Sequence, residues 1–132
     1  MDIFSKLREM KILLIDDDEW IRHAMSMFFE FEGCHLNALG TAEDGLEELR
    51  REHYDIIIAD YRLPAMDGLE FLKRTKETHP DAMRILITAY GSREVFSEAY
   101  KVGVQDFINK PFTIETIEKS LCQLIEERGK EL

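Results

Sequence analysis

The sequence predicts an α/β domain in which helices cover both faces of a five-stranded parallel sheet. Runs such as Ile12-Leu13-Leu14-Ile15, Ile56-Ile57-Ile58 and Ile85-Leu86-Ile87 are apolar at every position, as strands buried on both faces must be. Between the runs lie segments with apolar residues at helical spacing, and the alternation makes five βα units. A third observation bears on chemistry: four of the strands end in carboxylate, hydroxyl or ammonium residues. In an open α/β sheet, ligands gather in the crevice beyond the carboxyl ends of the strands.

Taken in order, Ile3, Phe4 and Leu7 have the spacing of a short lead-in helix, or belong to a frayed terminus with a few apolar contacts. Residues 1–10 are read as this lead-in segment, 11–128 as the domain and 129–132 as a tail. The first strand, Ile12 to Ile15, stops at Asp16-Asp17-Asp18-Glu19. Trp20, Ile21, Ala24, Met25, Met27, Phe28 and Phe31 then recur at helical spacing up to Gly33, a residue suited to closing a helix. Asp18 and Glu19 suit the positive end of that helix. Trp20, Phe28, Phe29 and Phe31 cannot all face inward, so at least one is expected at the surface or an interface. His35 to Leu39 is a second strand, and Thr41 caps a helix carrying Ala42, Leu46 and Leu49.

The central strand, Ile56 to Asp60, is followed by Pro64 and Asp67-Gly68, which force a loop before Leu69, Phe71 and Leu72 open the third unit's helix. That helix ends before His79-Pro80, because proline disfavours a helical predecessor. Ile85 to Thr88 is the fourth strand, and Val95, Phe96, Ala99 and Val102 mark a helix closed by Gly103. Asp106 to Asn109 is a short fifth strand leading to Lys110-Pro111-Phe112, after which Thr113 caps a last helix with Ile114, Ile117, Leu121, Leu124 and Ile125 inward.

Composition narrows the function. The 132 residues suffice for one core, and 45% are apolar. Seventeen basic against 27 acidic residues give a formal net charge of -10, which repels a phosphate backbone, so no direct nucleic-acid binding is expected. Cys34 and Cys122 stand far apart without metal-ligand spacing and read as reduced thiols of a cytoplasmic protein. The first residues lack the apolar core of a signal peptide, no run approaches membrane-spanning length, and no second domain is predicted within the 132 residues. His23, His35, His53 and His79 are scattered without ligand spacing.

The strand ends bring together Asp16, Asp17, Asp60, Thr88 and Lys110. Three carboxylates are a hard-cation site of the kind Mg²⁺ accepts while keeping waters and a phosphoryl oxygen, with Mn²⁺ as a substitute. A hydroxyl and an ammonium opposite them suit the remaining phosphoryl oxygens. Asp60 would then be the nucleophile, since a carboxylate can attack phosphorus.

At these residues the sequence resembles the receiver domain of two-component response regulators, CheY-like proteins. The motifs are Ile-Leu-Leu-Ile-Asp16-Asp17-Asp18, Ile-Ile-Ile-Ala-Asp60-Tyr-Arg-Leu-Pro64-Ala-Met-Asp-Gly68, Ile-Leu-Ile-Thr88-Ala-Tyr and Lys110-Pro111-Phe112, and the likeness runs from Lys11 to about Arg128. It implies a flavodoxin-like doubly wound sheet with strand order 2-1-3-4-5. It implies phosphorylation of Asp60 by a histidine kinase or phosphotransfer protein, with Mg²⁺ held by Asp17, Asp60 and the backbone carbonyl of Arg62, and Asp16 acting largely through water. Lys110 would pair with the phosphoryl group, Thr88 would move to hydrogen-bond it, and Phe107 would swing inward. A tyrosine is frequent where Phe107 stands, so the switch here is apolar. The resemblance and the loop geometry also imply that Arg62 and Tyr90 tune the phosphoryl lifetime. They imply that the helices of the fourth and fifth units, with the fifth strand, form a face for a downstream protein or self-association. Such a domain is a phosphoacceptor and not a turnover enzyme. Two alternatives stay open: a docking receiver that works without phosphorylation, and a haloacid-dehalogenase-type phosphatase using Asp16-x-Asp18, although the expected threonine or valine at Trp20, the late acid pair and room for a cap are missing.

Overall fold

The computed structural model describes residues 3–89 and 91–130. Met1 and Asp2, Tyr90, and residues 131–132 of the expected tail lie outside the described residues. In chain order the elements are α1 (Ile3–Leu7), β1 (Lys11–Ile15), α2 (Glu19–Phe31), β2 (His35–Leu39), α3 (Ala42–Arg51), β3 (Ile56–Asp60), α4 (Gly68–Thr78), β4 (Met83–Thr88), α5 (Arg93–Lys101), β5 (Asp106–Asn109) and α6 (Ile114–Lys130). The strands form one parallel sheet in the order β2-β1-β3-β4-β5. The lead-in helix takes the first number, so the face expected of the fourth and fifth unit helices is here α5-β5-α6.

Strand side chains alternate between faces, and the all-apolar runs accordingly feed two cores. Ile12, Leu14, Ile56, Ile58, Ile85 and Ile87 point to the side covered by α1, α2 and α6, where they meet Leu7, Met25, Phe29, Ile117 and Leu121. Leu13, Ile15, Ile57, Ala59 and Leu86 point to the other side, against Ala42 and Leu49 of α3, Phe71 and Leu72 of α4, and Ala99 of α5. Each fully buried Leu, Ile, Met or Phe among them stabilises the fold by about 1.5–3 kcal/mol relative to leaving it exposed.

The expected caps at Asp18 and Thr41 form, and Asp67, which the sequence reads as part of the loop, caps α4 as well. Asp18 accepts hydrogen bonds from the amides of Trp20 and Ile21, Thr41 from that of Asp44, and Asp67 from that of Glu70. Gly33, with φ 77°, leaves α2 in the left-handed region that a glycine tolerates. Among the aromatic residues of α2, Phe29 is buried, whereas Trp20 and Phe31 are exposed.

Two segments differ from expectation. The N-terminal segment is not frayed: Leu7 is completely buried, the Phe4 ring lies 5.9 Å from that of Phe28, and Arg8 Nε donates to the carbonyl of Glu32 at 2.8 Å. The fourth strand starts two residues before Ile85 and takes in Arg84, which is 2% exposed. Its guanidinium donates to Thr75 Oγ1 at 2.9 Å, to the carbonyl of Ala82 at 2.8 Å and to the carbonyl of His79. A buried arginine is tolerated because acceptors from the end of α4 and the loop after it surround it.

Candidate functional site

The sheet register sets the site. Ile15 pairs with Ala59, so Asp16 and Asp60 leave neighbouring strands side by side. Asp60 pairs with Ile87 and Thr88 with Asn109, so Thr88 and then Lys110 follow as steps along the same sheet edge. The strand order reverses between β1 and its neighbours β2 and β3, which is the switch point where open α/β sheets bind ligands. Two features hold the loop after β3. Ala65 adopts a positive φ of 66°, and Gly68 presses so closely on β3 that a Cβ there would lie 2.0 Å from the Asp60 carbonyl oxygen. Gly68 was expected to bend the loop, but its φ is not positive; it is needed for lack of space, as the first residue of α4.

Asp16 is fully buried and Asp60 is 5% exposed, while Asp17 is exposed. The three offer carboxylate oxygens that all lie within 4.8 Å of one another. Lys110 Nζ bridges two of them, 3.0 Å from Asp60 Oδ2 and 3.2 Å from Asp16 Oδ2. Asp16 Oδ1 accepts from the Asp18 amide at 2.9 Å, but Oδ2 is buried with no aligned hydrogen-bond donor, its contact to Lys110 being an ion pair only.

Burial pushes the Asp16 carboxyl above its ordinary range, and the charge of Asp60 adds to this; the Asp18 amide and Lys110 offset part of it. Burial likewise raises Asp60, with the charge of Asp17 adding and Lys110 and the Arg62 amide opposing. For Lys110, burial pulls downward, but the hydrogen bond to Asp60 and the charges of Asp16 and Asp60 outweigh it, and the ammonium is held above its usual value.

One ammonium thus bridges the two carboxylates that are taken out of water, beside a third that is exposed. An all-oxygen donor set with excess negative charge and a buried, unaligned Asp16 Oδ2 fits a hard divalent cation.

Residues 12–122 match the profile of the response regulator receiver domain. The chain belongs to this family. Among curated relatives, the C4-dicarboxylate transport transcriptional regulatory protein DctD of Rhizobium meliloti is 33% identical over 117 residues, covering 89% of this chain and 25% of that protein. The DNA-binding transcriptional regulator NtrC of Proteus hauseri is 33% identical over 121 residues, covering 89% of this chain and 26% of that protein. The chain spans about a quarter of the length of these two relatives. Among solved structures, a CheY-like receiver domain protein from Methanospirillum hungatei superposes with a TM-score of 0.86 at 28% identity, covering 93% of this chain and 98% of that one. The BeF3-activated receiver domain of DrrB, a Thermotoga maritima protein, gives 0.78 at 28% identity, covering 89% and 97%. Vibrio cholerae CheY4 gives 0.80 at 28% identity, covering 86% and 97%.

The receiver fold, the 2-1-3-4-5 sheet and the acidic pocket expected from the sequence are all present. Receiver domains are generally not turnover enzymes, and membership in this family displaces the phosphatase alternative. Among the described residues no helix is long and apolar enough to cross a membrane.

The structure brings Asp16, Asp17, Asp60 and Lys110 into one cluster, with Thr88 buried on the adjacent strand and its carbonyl accepting from the Lys110 amide at 3.0 Å. Arg62 is exposed at the mouth, and Tyr90 lies outside the described residues. Phe107 stands on β5 with its ring 4.7 Å from that of Phe96 of α5, edge to face. Phe96 was not singled out from the sequence, where it reads as one more inward residue of a helix. The close approach of Gly68 to Asp60 was also missed, although the motif contains it.

Proposed function

We propose that this receiver domain is a phosphoacceptor, in which Asp60 takes a phosphoryl group from a partner histidine kinase or phosphotransfer protein. The observation that carries the reading is the acidic triad with Lys110 bridging two of its members, 3.0 Å from Asp60 and 3.2 Å from Asp16. An oxygen of Asp60 forms the new P–O bond while the P–N bond to the donor's imidazole breaks, and the imidazole leaves with that electron pair. Lys110 holds positive charge beside the acceptor oxygen, where the phosphoryl charge spreads. Asp17, Asp60 and the Arg62 carbonyl would hold Mg²⁺, or Mn²⁺ in its place, with Asp16 acting through water. The ion supplies the charge neutralisation that lets an anionic donor approach three carboxylates.

Output follows from the neighbours of the site. Thr88 opens the loop to α5, and Phe107 links β5 to α5 through Phe96. Movement of Thr88 toward a phosphoryl group would free space for Phe107 and alter the α5-β5-α6 face, to which a downstream protein or a second copy binds. Coupling of about 1–3 kcal/mol is the usual size of such a link. The BeF3-activated DrrB receiver is a structural neighbour in keeping with this chemistry. We place residues 11–128 as the receiver unit, with 1–10 as lead-in and 129–132 as tail, acting in the cytoplasm.

Intact mass after incubation with a small acyl phosphate tests the reading. A gain of one phosphoryl group is expected with Mg²⁺, and neither in excess chelator nor in Asp60→Asn. A gain that survives either condition would falsify the assignment, and no gain under any condition would favour the phosphorylation-independent docking receiver.

A further inference from the structure

Helix α2 is apolar on two faces. Met25 and Phe29 turn into the core, whereas Trp20, Met27 and Phe31 are 83%, 58% and 87% exposed, with Ala24 exposed among them. Positions 20, 24, 27 and 31 step by four, three and four, which lays them in one stripe along the helix, the spacing of a seam between two packed helices. The three large side chains expose on the order of 500 Å². A contiguous apolar area of that order is as large as a typical monomer carries anywhere and marks an interaction site.

We propose that this stripe joins two copies of the chain, α2 packing antiparallel on α2 about a two-fold axis. The sequence of the stripe is complementary to its own reverse, as an isologous contact requires. Antiparallel register sets Trp20 on Phe31 of the second copy at both ends, and small Ala24 against long Met27 at the centre. The polar flank agrees as well. His23 and Glu30 are exposed on the same side of the stripe, and the same register sets His23 opposite Glu30 of the second copy, twice per dimer. The area fixes the strength. On the order of 500 Å² per copy is below the ~800 Å² of a standard interface, and a net charge of -10 on each copy opposes contact, so the dimer is weak, reversible and strengthened by salt.

Sedimentation velocity of the full chain, from low micromolar to near-millimolar concentration and at two salt levels, tests this. The wild type should shift from monomer to dimer, more so in high salt. Ala24→Glu, which places carboxylates at the two-fold axis, and Phe31→Ala should each weaken association by about tenfold or more. Both sites are exposed, so thermal midpoints should stay near the wild type, which separates lost pairing from lost folding. His23→Glu should weaken the dimer and addition of Glu30→Lys should restore it, while Arg51→Ala, exposed on α3, should change nothing; Tyr100→Ala, exposed on α5 of the proposed output face, tests whether the contact lies there instead. A monomer throughout the range would overturn the proposal, as would a dimer lost on Tyr100→Ala and kept on Ala24→Glu. A monomer in which Trp20→Ala slows transfer from a phosphohistidine protein, but not from a small acyl phosphate, would assign the stripe to the phosphodonor instead.

Discussion

Removing the Asp60 charge should stabilise the metal-free domain and abolish its response to Mg²⁺. Asp60 lies within 4.8 Å of Asp16 and Asp17 and 3.0 Å from Lys110 Nζ. At an effective dielectric of about 20, a carboxylate pair at that spacing repels by about 3.5 kcal/mol and the ammonium attracts by about 5.5 kcal/mol. Asp17 is exposed and its share is heavily screened, so attraction and repulsion nearly cancel and the desolvation of Asp60 is left uncompensated. Asp60→Asn keeps the shape, leaves Lys110 paired with Asp16, and in chelator should raise stability by on the order of 1 kcal/mol, roughly 3–6 °C in a domain of this size. In the wild type, Mg²⁺ at about ten times its Kd adds about 1.4 kcal/mol, roughly 4–8 °C. The pH dependence has a definite sign. Asp16 and Asp60 have folded values above 3.8, so the folded state binds their protons more tightly than the unfolded chain does. Their ionisation opposes folding at neutral pH, and that opposition fades as pH falls through the raised folded values toward 3.8. Thermal melts with chelator and with Mg²⁺, from neutral to mildly acidic pH, should show wild type and Asp60→Asn converging in chelator as the pH falls. A variant that melts lower than wild type in chelator, or that keeps the Mg²⁺ shift, would refute the charge argument.

Lys110→Ala should enlarge the Mg²⁺ shift in the same melts, since three carboxylates lose their one ammonium, while amide exchange across α5-β5-α6 no longer responds to phosphorylation; equal loss of both responses would make Lys110 structural. Gly68→Ala puts a methyl group 2.0 Å from the Asp60 carbonyl oxygen and should lose about 2–3 kcal/mol in urea denaturation, with a much slower gain of phosphoryl mass. Arg84→Met removes the guanidinium from the Ala82 carbonyl and the Thr75 hydroxyl, and leaves the His79 carbonyl with the Ala82 amide alone, so it should lose about 2–4 kcal/mol in urea denaturation. Arg84→Lys should recover little, because one ammonium cannot serve three acceptors spread around a planar fork. Arg62→Ala, at the exposed mouth of the site, should change the dephosphorylation rate without preventing phosphorylation, measured as decay of the added mass; an unchanged rate removes Arg62 from lifetime control.

What could be read from the sequence depended on whether a residue's reason is local. The strand runs and the carboxylates closing them are local patterns, and a parallel register converts adjacent strand ends into adjacent side chains, so the sequence alone groups Asp16, Asp17, Asp60 and Lys110. Arg84 defeated the same logic. Hydrophobic periodicity treats a charge as the end of a buried strand, whereas its acceptors come from Thr75, His79 and Ala82 and no pattern around Arg84 announces them. The five residues of α1 are too few to hold a helix alone; Phe28, Phe29 and Glu32 of the distant α2 region give it a surface to fold on.

Gly68 shows how a correct assignment can rest on the wrong cause. An Asp-Gly pair after a proline reads as turn chemistry, yet Asp67 caps α4, the left-handed residue of the loop is Ala65, and Gly68 is the place where α4 begins against the backbone of Asp60. The same contact ties the start of a helix to the strand residue that the proposed chemistry uses. A side chain at position 68 would therefore displace Asp60 from Lys110 before it disturbed either core, which is why that substitution should impair phosphoryl acceptance even in molecules that remain folded.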